Sequence, residues 1–225
     1  DYKCNNASVE YHFSGCSKDY NIIIDCPNNT VKVYLDSVTI DMLEDDEDDS
    51  EKKPAIKITD NTKAIIYVEG NNILEGGNTH HLINKSGYAG IEVAENASLT
   101  ILGNGTLNVT GGGNDRGAAA IGGSYDDNCG MIIIGDKNNC PTIVANGGNG
   151  GAGIGGSEEG SSYKGIYIAN GNITATGKNG GAGIGAGDAV AAGTGGCVDT
   201  IIITGGTITA TGGSGAAGIG GSDSG

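Results

Sequence analysis

With 44 glycines among 225 residues, one Phe, no Trp and three Pro, the chain has too little bulky apolar material for an ordinary globular core. It is also too rich in Ile and Val, and too periodic, for a disordered chain. A net charge of −15 and a single arginine, Arg116, leave no basic cluster to neutralise phosphates, which excludes nucleic acid and disfavours anionic membrane surfaces. No run approaches the roughly 20 apolar residues that span a bilayer, so no membrane insertion is expected.

In chain order, residues 1–20 form a Cys-containing N-terminal segment that reads as a cap. Residues 21–225 read as one solenoid that opens with a looser coil: NIIID (21–25), VKVYL (31–35) and SVTI (37–40). A charged insertion, 41–53, leaves the corner that follows. Within it Asp45, Asp46, Asp48 and Asp49 could hold a hard cation such as calcium, although the EF-hand pattern is absent and a solvated loop is the plainer reading.

Beyond the insertion the chain repeats itself. AAIGGS (119–124), AGIGGS (152–157), AGIGAG (182–187) and AGIGGS (217–222) follow two degenerate copies, PAIKI (54–58) and AGIEV (89–93). Their isoleucines, Ile56, Ile91, Ile121, Ile154, Ile184 and Ile219, are spaced 35, 30, 33, 30 and 35 residues apart, the near-constant period of a solenoid. Two further strands recur between them, an Ile-rich one (64–68, 99–102, 131–134, 165–168, 200–203) and an alternating one that begins at Asn72, Thr106, Thr142, Asn172 and Thr207. The chain is therefore expected to be all-β: a right-handed parallel β-helix of about six to seven coils. Each coil holds strand A (the GIGG motif), strand B (Ile-rich) and strand C (alternating). On strand C, Leu107/Val109, Ile143/Ala145, Ile173/Ala175 and Ile208/Ala210 point inward and their neighbours face solvent.

The matching stretches 33–41 (VYLDSVTID), 67–77 (YVEGNNILEGG), 99–111 (LTILGNGTLNVTG) and the AGIGGS and GGTITATGG repeats resemble the carbohydrate-binding right-handed β-helix family of cellulolytic anaerobic bacteria, from about Asn21 onward. AGIGG-type repeats also resemble those of large surface and adhesin-like proteins. The resemblance implies an extracellular, non-catalytic protein that binds cellulose or pectin-like polymers, with calcium as the one cofactor it raises.

Asn-x-Ser/Thr sequons at Asn6, Asn28, Asn84, Asn96, Asn104, Asn108 and Asn172 support glycosylation outside the cell or on its surface. Cys4, Cys16, Cys26, Cys129, Cys140 and Cys197 sit outside any CxxC spacing and are disulfide candidates. Cys26 and Cys197 would meet if solenoids stacked head to tail. The chain stops just after AGIGGS, so either it is a fragment or its end is covered by another chain, which would build a fibre. Arg116 stands alone beside Asp115, Asp126 and Asp127 have no counterpart one coil away, and His12, His80 and His81 lack a nucleophile signature, so no catalytic residue is assigned. The Thr-x-Thr pairs 174/176 and 209/211 raise ice binding, which Val144 and irregular rows oppose. Tyr88, Tyr125, Tyr163 and Tyr167 form no stripe on which a sugar could stack. The leading expectation is a structural or adhesive solenoid with end-to-end assembly; the alternative is a polysaccharide-binding protein.

Overall fold

A computed structural model describes residues 1–43, 53–78, 86–160, 162–189 and 197–223. The described residues contain only strands and turns, and every ladder between strands is parallel. The fold is a parallel β-solenoid. Among the described residues no helix is long and apolar enough to cross a membrane.

Strand A of every coil joins one eight-stranded sheet, in sequence order: Tyr2–Cys4, Ile22–Ile24, Ile56–Ile58, Ile91–Val93, Ile121–Gly122, Ile154–Gly155, Ile184–Gly185 and Ile219–Gly220. Strands B and C share a twelve-stranded sheet because one long strand, Thr30–Asp41, serves both faces of its coil. Its first half pairs with Lys63–Glu69 on face B, and its second half with Asn71–Glu75 on face C. The bend between the halves falls at Ser37, whose φ of 57° is left-handed; the next coil turns the same corner at Gly70.

Residues 1–20 are a rung of the solenoid. Tyr2–Cys4 pairs with Ile22–Ile24, and Glu10–Ser17 pairs with Thr30–Asp41 across a bulge. Tyr2 packs edge-on to Phe13 (6.0 Å) and against Tyr20 (5.7 Å), so aromatic rings close over the second coil. The coil count differs slightly from the six to seven read from isoleucine spacing.

The core is a stack of like on like. Ile22, Ile56, Ile91, Ile121, Ile154 and Ile184 occupy one column in register, each at most 1% exposed. Burying each contributes about 1.5–3 kcal/mol. Leu107, Ile143 and Ile173 form a second column, and Val109, Ala145 and Ala175 a third, as the alternation of strand C predicts.

The AGIGG motif has a local cause. In each copy the amide of the first Ala donates to the carbonyl four residues on: Ala119 to Gly123, Ala152 to Gly156, Ala182 to Ala186 and Ala217 to Gly221, at 2.9–3.1 Å. Closing that ring puts the glycine after Ile at positive φ, 128° at Gly155. A Cβ there would lie 2.2 Å from the carbonyl oxygen of Gly185 on the next rung. Glycine is needed for its backbone freedom and for close stacking together.

Gly155→Ala is expected to lower stability by roughly 2–4 kcal/mol. Gly221→Ala, where an added Cβ meets nothing within 4 Å, should stay within about 0.5 kcal/mol. Urea unfolding of the two variants checks both; equal destabilisation would contradict the stacking explanation.

Candidate functional site

Parallel register turns outward-facing residues into columns along the solenoid axis, spaced about 4.8 Å per rung. On face B one outer column is Thr30, Lys63, Ser98 and Met131. The next is Lys32, Ile65, Thr100, Ile133 and Tyr167. Between Thr30 and the rung of Lys164 these columns floor an open groove of ≈ 780 Å³, about 19 Å long over four rung steps. Ile65, Met131 and Ile133 give the floor an apolar strip that Thr100 interrupts between Ile65 and Ile133, and Thr30 and Ser98 place hydroxyls beside it. The A–B corner supplies a polar wall of Asn28, Asn61 and Asn96, with Lys164 paired to Glu95 at 3.8 Å. An apolar strip edged by hydroxyls, amides and few charges suits an extended, polyhydroxylated chain that presents C–H faces and hydroxyls in turn.

A third outer column stacks His12 on Tyr34 (4.4 Å, 6°) and Tyr34 on Tyr67 (4.6 Å, 9°). The ring spacing is close to the rung spacing, so Tyr34 is covered on both faces and presents its edge to solvent. This column is a wall beside the groove and offers no stacking platform at its middle ring. Beside it Lys32 binds Glu10 at 2.9 Å, and that hydrogen bond and charge hold the Glu10 carboxyl below its ordinary range. Desolvation raises the Tyr34 phenol. The aromatic column is made by His12, Tyr34 and Tyr67. Its signal was present in the sequence: Tyr34 and Tyr67 hold the same place in VKVYL and AIIYV.

Around the corner from the groove lies a smaller cleft of ≈ 410 Å³. Lys57 and Glu92 are register partners on the outer side of face A, joined at 2.7 Å. Glu92 is only 4% exposed, and its second oxygen accepts the Ser124 hydroxyl at 2.6 Å. Ser124 in turn accepts the Ala89 amide at 3.1 Å. Desolvation alone would lower the Lys57 ammonium; the Glu92 carboxylate outweighs it and the net shift is upward. At the rim, burial raises the Asp127 carboxyl and the Glu92 charge raises it further, partly offset by Lys57. Asp126 and Asp127 thus do have acidic company on the preceding rung, in Glu92, which the spacing in the sequence concealed. Asp60 and Glu95 also line the cleft. Among the described residues no three His, Cys, Asp or Glu side chains converge on a position that could hold a metal ion.

The other candidates scatter. Asp45, Asp46, Asp48, Asp49 and Asn84 lie outside the described residues. Asn28 and Asn96 stand on the groove wall. Asn6 accepts the Ser8 amide (2.9 Å), Asn104 accepts the Cys140 amide (2.9 Å), and Asn108 donates to Asn71 on face C (3.1 Å), where Asn172 is exposed. Among the described residues no two of Cys4, Cys16, Cys26, Cys129 and Cys140 are joined; Cys4 and Cys16 share the first rung on different faces, and Cys129 and Cys140 share a later rung at different corners. Burial pushes the Cys4 and Cys129 thiols up to about 12. Only the backbone of Cys197 is described, in the short pairing of Cys197–Val198 with Ser162–Tyr163. Cys26 follows Ile22–Ile24 on the second rung, so a head-to-tail bridge would have to pass the first rung. Arg116 is not isolated: it lies 5.3 Å from the Tyr125 ring centre and donates to the Tyr125 hydroxyl. Thr174/Thr176 and Thr209/Thr211 are in register on face C, and Val144 and Ile73 interrupt the middle column.

A family model described as Carbohydrate-binding domain-containing protein matches residues 3–120, which include the groove from Asn28 to Thr100. No curated protein and no solved structure matches the chain.

Removing only the cation of the cleft would leave the Glu92 carboxylate buried with one partner. Lys57→Met is expected to cost roughly 1–3 kcal/mol, whereas Lys57→Met/Glu92→Leu, which removes both charges, recovers most of it. Thermal or urea unfolding of single and double variants measures this; a double variant no better than the single one would contradict the pairing.

Proposed function

Because the chain belongs to the carbohydrate-binding domain-containing protein family, we propose that it is a polysaccharide-binding protein that holds an extended glycan chain along the outer surface of face B. The observation that carries this reading is the long groove, whose apolar strip of Ile65, Met131 and Ile133 lies between hydroxyl, amide and lysine side chains. Pyranose rings present apolar C–H faces and polar rims, and a floor built the same way can take several in a row. Binding rather than catalysis is the role proposed, at the cell surface or outside the cell, with cellulose or pectin-like polymers as the ligand class. A structural or adhesive role with end-to-end assembly ranks second, since the family match speaks to carbohydrate.

Retention on insoluble cellulose and on pectate tests the reading, and running it with calcium and with a chelator separates direct from calcium-assisted binding. Ile65→Asp and Ile133→Asp place a charge on the apolar strip without touching the core. Each is expected to weaken retention about tenfold, or 1.4 kcal/mol, with folding intact by circular dichroism. Unchanged retention of both variants would remove the groove as the binding site.

A further inference from the structure

Two of the sequons share the groove. Asn28 and Asn96 both stand on its corner wall, and the hydroxyl residue completing each sequon, Thr30 and Ser98, belongs to its floor. Thr30 pairs with Lys63 and Lys63 with Ser98, so the two sequons occupy the same corner two rungs apart, about 9.6 Å along the axis. Asn61 holds that corner on the rung between them, but Lys63 follows it at the third position and no sequon forms. Asn28 and Asn96 are exposed, and Asn28 sits in a turn at φ 64°. Asn104, Asn108 and Asn172 lie away from the groove wall, at the B–C corner and on face C.

From this placement we infer that Asn28 and Asn96 are glycan attachment sites whose occupancy closes the groove. The inference rests on the groove being the polysaccharide site. In the attachment step the Asn Nδ2 displaces the pyrophosphate of a lipid-linked oligosaccharide donor. The new bond joins nitrogen to the anomeric carbon, the sugar–phosphate bond breaks, the lipid pyrophosphate leaves and the amide gives up one proton. An oligosaccharide tethered to the wall of a glycan-binding groove is at very high local concentration and has the chemistry that the floor accepts. It fills the groove as an internal competitor, and a free polymer binds only in the fraction of molecules left open.

The test uses the full chain made in two ways, through a eukaryotic secretory pathway and in the bacterial cytosol, with site occupancy read by peptide mass spectrometry. The readout is retention on insoluble cellulose and on pectate. If the groove is open one-tenth of the time, the glycosylated protein binds about tenfold more weakly than the unglycosylated one. In the Asn28→Gln/Asn96→Gln variant the two preparations should bind alike, which cancels any direct effect of losing the amides. In Asn172→Gln the gap should persist. The inference is overturned by a gap that survives in the double variant. Undiminished binding with Asn28 and Asn96 occupied would also overturn it, as would both sites left bare while Asn172 carries glycan. If unglycosylated wild-type protein binds neither polymer, the binding reading itself fails, an outcome separate from these.

Discussion

Register between successive coils is the constraint on which the rest of this protein depends. Among the described residues every ladder between the strands is parallel and residue i of one coil sits about 4.8 Å from its counterpart in the next, so each position lives in an environment made by copies of itself. Ile22 to Ile184 can form one column only if no coil slips. A shift of one residue would turn the entire column to solvent. The carbonyl of Gly185 lies where a Cβ on Gly155 would fall, so the tightest copies of the repeat accept no side chain there at all.

The same register decides where chemistry can reside. From Gly122 onward the outer position of face A is glycine on each described rung, and that surface is backbone. Functional side chains are therefore displaced to the degenerate copies, IKI and IEV, which place Lys57 beside Glu92, and to face B, where strands alternate freely. Stacking converts single outward residues into columns. A floor of Ile65, Thr100 and Ile133 requires no motif in any one strand, only agreement among three. Stacking also explains the His12–Tyr34–Tyr67 wall: rings one rung apart face each other, which buries their flat surfaces and leaves edges outward.

The fold was legible because periodicity in sequence maps directly onto periodicity in space. The GIGG spacing located strand A, and alternation assigned the inward Leu107, Ile143 and Ile173 on strand C. The first rung was missed because Tyr2, Cys4, Tyr11 and Phe13 replace the usual aliphatic residues and no GIGG marks it. The site was less legible for a related reason. Lys57 and Glu92 are 35 residues apart, and only one falls in each degenerate copy. Tyr34 and Tyr67 are lone aromatics in their strands, 33 residues apart, and only the register stacks them. The absence of CxxC spacing made the cysteines disulfide candidates, but spacing along the chain does not say which faces of a rung they occupy: Cys4 lies on face A and Cys16 on face C of the same rung.

Occupation of face B by a glycan chain is the central claim, and methyl NMR tests it most directly. Protein labelled at Ile δ1 and Met ε methyl groups would be titrated with a soluble oligosaccharide cut from cellulose or pectate. Ile65, Met131 and Ile133 should shift together and saturably. Ile73 on the outer side of face C and the interior Ile132 and Ile134 should not move. Shifts confined to Ile73, or a titration that moves no face-B methyl with either oligosaccharide, would contradict the account.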